Sequence, residues 1–397
     1  MIKIFGTIVF FFYHYALLLF FSVVYVFCMA FKSSVALKST LLNRIPVEDR
    51  KRVVVVGGGF SGSMVAQQLE NDFQVTLIDT KDYFEFTPSI LRTIVEPTHI
   101  KSIQVLHSHY LKHTNVVQKE VTGVHKGEVV LDDRTVPFDY LVLNSGSSYN
   151  SPFKESSVVA SARANTLREN YYHIRKLKKI LIIGGGIVGV ELAAEIVSHF
   201  SGKEVTLIHS QSKLMNRFPK KAIRHAEQYL VDHGVRIVHN ERVIAHKGNI
   251  FITDQGSEII ADQAFLCTGI VPNSDFVKKT FPDAISEFGY IKGNEYLQMS
   301  GATFYRNIFV SGDVLNVREE KLAQTAENTA SVVVNNIYAM EARNENALQK
   351  YRSGAKPILI SLGKFNSILV YKDWTLTGFL PALMKEFVEW KTMIRYW

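Results

Sequence analysis

Three stretches of this chain combine residue types and spacings that could handle a nucleotide. The first is Gly57-Gly58-Gly59-Phe60-Ser61-Gly62, with Asp79 placed 22 residues after Gly57. In such a GxGxxG pattern Gly57 allows a tight turn, Gly59 lets the backbone approach a pyrophosphate, and Gly62 lets a helix pack closely on a strand. A helix beginning there turns free N–H groups and a positive dipole end toward phosphate. Asp79 stands where a carboxylate accepts ribose hydroxyls. The second stretch repeats the pattern with Gly184, Gly186 and Gly189. The third, Asn307 to Asp313, is an apolar run ending in Gly312-Asp313; Asp313 either faces a cofactor or caps the helix that follows.

The elements that must position these residues read as strand, turn, helix, strand. Val53–Val56 and Val75–Ile78 are apolar runs with the length of buried parallel strands, and they flank a helical pattern. Ile180–Ile183 and Val205–Ile208 repeat this around a helix starting near Val190. Further strands are expected at 117–121 and at Asp139–Gly146, with hairpins at Glu128–Phe138 and Ile250–Ile260. Asp139 to Gly146 spans seven steps, as does Asp262 to Gly269; Gly57 to Gly146 is 89 residues and Gly184 to Gly269 is 85. A duplicated α/β dinucleotide-binding domain, one copy inserted in the other, explains both counts. The expected parts are an anchor at 1–31, a linker at 32–50, a first Rossmann-like domain at 51–152, an inserted second one at 153–270, the return to the first at 271–350, and a tail at 351–397. The loop Tyr83–Pro88, followed by Ile90-Leu91-Arg92, should lie near a bound cofactor. A helix is expected over Lys321–Met340, and a two-stranded hairpin over Pro357–Tyr371.

Composition narrows the class. The chain has 397 residues, 47% of them hydrophobic, and a net charge of +8 without a long Lys/Arg block. That size allows two or three domains, and the scattered charge does not favour nucleic acid. Cys28 and Cys267 are the two cysteines, so a disulfide framework is excluded and a reducing compartment is expected. The 13 histidines show no metal-ligand spacing, and no metal is expected; His107 and His109 read as surface loop residues. Ile4–Phe31 holds 28 residues without Asp, Glu, Lys or Arg, about 42 Å as a helix against a hydrocarbon core of roughly 30 Å. An uncleaved single-pass anchor is expected, with a cleaved signal ending near Cys28-x-Ala30 as the alternative. Positive charge after the span puts the remaining chain on the cytosolic or matrix side. In the tail, apolar residues at 380, 383, 384, 387, 390, 394 and 397 form a helical stripe, with Lys385, Glu386, Glu389, Lys391 and Arg395 on the other face. Such a helix packs on its own domain or lies at a membrane interface, with Trp390, Tyr396 and Trp397 at headgroup level.

The two GxGxxG units, the Asn144-Ser145-Gly146 and Cys267-Thr268-Gly269 strand ends and the Gly312-Asp313 pair resemble the two-dinucleotide-binding-domain flavoproteins. Val205–Gln211, Glu241–Val243, Asn294–Gln298 and Trp390–Met393 are similar to the ferroptosis-suppressor and apoptosis-inducing-factor-like branch, FAD-dependent pyridine nucleotide oxidoreductases related to type II NADH dehydrogenases. The resemblance covers about residues 51–397. It implies FAD in the first domain, held by Gly57–Gly62, Asp79, Arg92, Val121 and Asp313, and NADH or NADPH in the second, held by Gly184, Gly186 and Gly189. It places Glu191 near the flavin–nicotinamide contact, where the residue alone reads as a carboxylate complementing a helix dipole. It also places Lys356, with Pro357, near the acceptor side as a second catalytic candidate. Gly269 ends the second domain's last strand. The N-terminal apolar run and Val314 depart from the pattern.

The expected activity is transfer of two electrons from NAD(P)H through FAD to a membrane quinone. His209 occupies the position where an acid often reads the ribose 2′-hydroxyl, with Lys213 and Arg217 near, so NADPH should be accepted alongside NADH. Without a CxxC pair, disulfide reduction is excluded. The alternatives are a slow-turnover redox effector and a reductase of a protein electron carrier.

Overall fold

The computed structural model describes residues 47–148 and 160–397. Met1–Arg50 forms a unit of its own, whose described part is a single 3-10 turn at Val47–Asp49; the expected anchor at 1–31 lies outside the described residues. Among the described residues, no helix is long and apolar enough to cross a membrane.

Lys51–Trp397 is the second unit. β1 (Arg52–Val56) leads through the first glycine turn into α1 (Phe60–Leu69) and β2 (Gln74–Asp79). β1 is buried along four valines because it lies inside a sheet covered on both faces, where each such side chain contributes about 1.5–3 kcal/mol. The loop beyond Asp79 contains β3 (Tyr83–Glu85), then α2 (Ile90–Val95), and β4 (Gln104–Leu106), which pairs antiparallel with β3. β5 (Asn115–Gln118) joins β2 in parallel, slightly before the expected position. β6 (Gly123–Val124), β7 (Glu128–Val130) and β8 (Thr135–Pro137) form a small antiparallel sheet, and β9 (Tyr140–Leu143) returns beside β1. β10 (Ser147–Ser148) leaves the domain.

The second copy follows α3 (Ala160–Lys176). β11 (Lys179–Ile183), α4 (Ile187–His199), β12 (Glu204–His209), α5 (Lys220–Asp232) and β13 (Arg236–His239) build the parallel part. β14 (Val243–Lys247), β15 (Ile250–Thr253) and β16 (Glu258–Ile260) repeat the small antiparallel sheet, and β17 (Gln263–Leu266) closes beside β11. β18 (Val271–Pro272) pairs antiparallel with β10 as the chain returns. The strand orders, β5-β2-β1-β9 and β13-β12-β11-β17, correspond element for element. The matched acids at the strand starts are braces: Arg52 N donates to Asp139 Oδ2 at 2.8 Å, and Lys178 N and Lys179 N donate to Asp262 Oδ2 at 2.8 Å.

β19 (Gln298–Ser300) and β20 (Phe304–Val310) extend the first sheet past β9, and α6 (Ala323–Glu341) packs on α1. The tail is a three-stranded antiparallel sheet rather than a hairpin: β21 (Ile358–Ser361), β22 (Ser367–Tyr371) and β23 (Trp374–Gly378), followed by α7 (Phe379–Met393). α7 packs on its domain mainly through its charged face and not through the apolar stripe. Its charged face is turned inward: Arg92 pairs with Glu386 at 3.0 Å, His99 with Glu389 at 3.1 Å, and Arg395 beyond the helix with Glu327 at 2.7 Å. Leu380 and Trp397 of the apolar stripe are 56% and 57% exposed. Tyr396, expected at headgroup level, is buried.

The two glycine turns set the packing. Gly57 and Gly184 have φ of +96° and +116°, where a side chain is strained. A Cβ at Gly62 or Gly189 would collide with the carbonyl oxygen of Gly57 or Gly184, whereas one at Gly186 would meet open space. Gly189→Ala should therefore lower unfolding free energy by about 1–3 kcal/mol, and Gly186→Ala by less than about 0.5 kcal/mol, in denaturant melts. Equal effects would refute the close-packing account.

Candidate active site

One cavity of about 2210 Å³ runs between the two nucleotide-binding halves and is lined by both glycine turns, Asp313, Glu191 and residues of α7. A pocket for a single ligand usually occupies about 300–1,000 Å³, so this one has room for two nucleotides.

In the first half, Gly57, Gly58, Gly59, Phe60 and Ser61 line the cavity, and Gly62 supports them from the first turn of α1. No atom would lie within 4 Å of a Cβ at Gly59, so the backbone there is open to a ligand. Asp79, at the end of β2, accepts hydrogen bonds from Gly58 N at 2.5 Å and Lys81 N at 2.9 Å. Burial alone would raise its pKa, but the His107 ring and then Lys81 outweigh that and hold the carboxyl below its usual range. Ser61 Oγ donates to Asn144 Oδ1 at 2.9 Å, tying the helix start to the end of β9. Ser147 Oγ donates to Asp313 Oδ2 at 3.0 Å. Val121 and Glu85–Pro88 also line the cavity, as the loop position after β2 implies. Arg92 does not line it; Glu96 and Glu386 hold its guanidinium.

The second half repeats the device with one change. Gly184, Gly186 and Gly269 line the cavity, and Gly189 supports the turn beneath. Gly185 N donates at 3.2 Å to His209 Nδ1, the counterpart of the Gly58–Asp79 contact. Burial and then His239 lower the His209 pKa, which keeps Nδ1 free to accept. Ser210, Arg217 and Arg242 line the same end of the cavity.

Glu191 sits on α4 at the cavity wall. Its Oε1 accepts from Ser361 N at 2.8 Å. Burial pushes its pKa up to about 7, against the pull of that hydrogen bond and of Lys385. Ser361 Oγ donates to Glu195 Oε1 at 3.1 Å and accepts from Lys385 Nζ at 2.8 Å. Lys356 is half-removed from the expected place: its ammonium pairs with Glu319 at 2.8 Å, and Pro357, Ile358 and Leu359, not Lys356, line the cavity. Burial disfavours the Glu319 charge, but hydrogen bonds from Lys356, Ser353 and Tyr351 bring its pKa down to about 2.

Several participants were not legible from the sequence. His107 is a fully buried residue beside Asp79 rather than a surface loop residue, because it opens a helical turn, His107–Tyr110, folded under the first glycine turn. Lys385, Lys391 and Arg395 reach the cavity because α7 presents its charged face to it; only the periodicity of that face could have suggested this. Cys267 is buried with its thiol pushed up to about 12, and among the described residues no metal-binding cluster gathers.

The sequence matches the pyridine nucleotide-disulphide oxidoreductase family over residues 38–330. It is 32% identical over 361 residues to ferroptosis suppressor protein 1 of Homo sapiens, covering 86% of this chain and 95% of that protein. The fold is similar to that of NDH2 from Plasmodium falciparum in complex with NADH, with a TM-score of 0.76 at 14% identity over 87% and 96% of the two chains. It is also similar to the sulfide:quinone oxidoreductase of Aquifex aeolicus, with a TM-score of 0.74 at 19% identity over 87% and 91%. The two glycine cradles, the matched contacts to Asp79 and His209 and the size of the cavity fit FAD and NAD(P)H, and these are the chain's cofactors. The chain belongs to the pyridine nucleotide-disulphide oxidoreductase family, as a ferroptosis-suppressor-like flavoprotein oxidoreductase.

Proposed function

We propose that the protein is an NAD(P)H:quinone oxidoreductase working at a membrane surface. The observation that carries this is the single cavity that joins both nucleotide half-sites and reaches α7. Gly57–Gly62, Asp79, Val121 and Asp313 hold FAD, and Gly184, Gly186, Gly189, His209 and Gly269 hold the nicotinamide nucleotide. Bound flavin supplies the hydride and electron chemistry; the chain's own residues align the rings and manage protons. Forming a quinol takes two electrons and two protons. Hydride from NAD(P)H accounts for both electrons and one proton. Glu191, with a pKa of about 7 at the cavity wall, holds the other, and Ser361 and Lys385 connect it to the polar face of α7.

Three features support a lipid acceptor. The two cysteines lie far apart in the sequence, at 28 and 267, so no adjacent pair can relay electrons to a disulfide. The tail sheet and α7 expose Phe365, Trp374, Phe379 and Leu380, with Lys364 and Lys372 beside the exposed rings of Phe365 and Tyr371, the composition that suits a headgroup layer. The uncharged 28-residue run at Ile4–Phe31 supplies a single-pass anchor with the catalytic part on the cytosolic side. The same fold serves a protein described as a sulfide:quinone oxidoreductase. The test is the acceptor spectrum of the purified flavoprotein: a short-chain ubiquinone should turn over faster than oxygen, and oxidation of NADH by ferricyanide without any quinone turnover would sink the reading.

The His209 contact leads to a specificity prediction. A neutral imidazole leaves a 2′-phosphate unopposed, and Arg217 and Arg242 line the same region. His209→Asp should raise the KM for NADPH at least tenfold while changing that for NADH little, because like charge then meets the 2′-phosphate. An unchanged ratio of the two would refute the assignment.

Glu191 gives a pH prediction. Its folded pKa, about 7, lies above the ordinary 4.5. The stabilisation from the neutral form is therefore present in full below pH 4.5 and is lost as pH rises through about 7. Glu191→Gln stays neutral throughout. The melting temperature of the wild-type FAD-loaded protein should fall relative to that of the variant between pH 5 and 8, and parallel profiles would contradict the buried-acid assignment.

A further inference from the structure

We infer that His107 is the positioning residue of the flavin ribose site and that it couples FAD binding to the seating of Tyr396 beyond α7. The inference rests on the reading that FAD occupies the half-site of Gly57 and Asp79.

Comparison of the two half-sites isolates His107. A Cβ at Gly58 would meet the His107 ring at 2.5 Å and Asp79 Oδ2 at 2.7 Å, while one at Gly185 would meet Leu214 and the His209 ring. His107 therefore fills the space that Leu214 fills in the second copy. A leucine achieves this packing at no electrostatic cost, whereas a buried imidazole is unfavourable unless its nitrogens are used. His107 has no exposed surface. Its Nδ1 lies 2.7 Å from the Tyr110 hydroxyl. The Asp79 carboxylate facing Nε2 favours the tautomer that carries its proton there, which leaves Nδ1 to accept from the Tyr110 phenol. Nε2 has no hydrogen-bond partner and stands 3.8 Å from Asp79 Oδ2. The N–H is thus held beside the carboxylate that must accept the ribose hydroxyls.

The same cluster reaches α7's end. Tyr396 stacks on Phe84 with centroids 4.0 Å apart and meets Tyr110 edge-on at 4.8 Å. Its hydroxyl lies 3.0 Å from Ser63 Oγ on the first turn of α1. Phe84 in turn meets Phe60, in the glycine turn, at 5.2 Å. One group of side chains therefore fixes the flavin cradle, His107 and Tyr396 together. A ligand that orders Asp79 and His107 must also favour the seated form of Tyr396, and the seated tyrosine must favour the ligand by the same factor.

His107→Leu tests this by copying the second half-site: it keeps the packing and removes the N–H. Free-flavin fluorescence on dilution of the FAD-loaded protein should show FAD held about tenfold less tightly, on the scale of a polar N–H removed from beside a charged group. Binding of NADH should be unchanged, and His107→Gln, which keeps an N–H donor, should recover part of the loss. Amide exchange over residues 388–397 should be slower with FAD than without it, and Tyr396→Phe should lose that dependence. If His107→Leu does not fold, Tyr110→Phe removes the donor to Nδ1 and should also weaken FAD. FAD held as tightly by these variants as by the wild type, or tail exchange indifferent to FAD, overturns the inference. Wild-type protein that takes up no FAD overturns the half-site reading itself.

Discussion

The distance to which a helix can approach the strand before it governs both halves of this molecule. α1 and α4 each begin over the carbonyl of the first glycine in their turn, with no room for a methyl group at Gly62 or Gly189. That approach aims the helix N-termini into the cavity. It also brings the middle glycine's N–H within reach of the residue ending the next strand, Asp79 in one copy and His209 in the other. The chemistry of each half-site then follows from that one residue: a charged acceptor suits ribose hydroxyls, and a neutral ring leaves a phosphate unopposed. Shared geometry with a changed side chain is how a duplicated fold can give its two half-sites different preferences.

The tail solves a different problem. α7 is attached by ion pairs and hydrogen bonds through its charged face, from Arg92, His99, Ser89 and Glu327. Half-buried ion pairs such as these contribute little net stability, but their geometry is specific. The attachment fixes α7 in one orientation and leaves apolar side chains outside. Packing through the stripe would bury more hydrocarbon, and would remove Lys385 from the wall of the cavity.

The duplication, the glycine turns, the strand ends at Asp79 and Asp313 and one hairpin of each small antiparallel sheet were legible in the sequence, because each depends on local spacing or on strong apolar periodicity; the third strands β6 and β14 were not. The matched acids Asp139 and Asp262 were visible as a repeat, yet their work is to brace the first strands, which spacing cannot distinguish from chemistry. Arg92 and Lys356 were assigned by resemblance, and the fold gives their charges to Glu386 and Glu319. His107 and Tyr396 were not legible as partners, since 289 residues separate them and their meeting depends on how α7 docks. The orientation of α7 stayed open in the sequence for a related reason. A stripe shows which face is apolar, but the partners waiting on the rest of the protein decide which face is covered.

The crossing between the copies has its own consequence. The outgoing Ser147–Ser148 and the returning Val271–Pro272 run side by side, and Asn273 bonds back to Ser145 and Gly146. Two rails joined by rungs resist twisting far better than two loose linkers. Swivelling of the inserted copy is suppressed, and the compliant movement left to it is a bend across the ladder, the direction that opens or narrows the cavity between the two glycine turns.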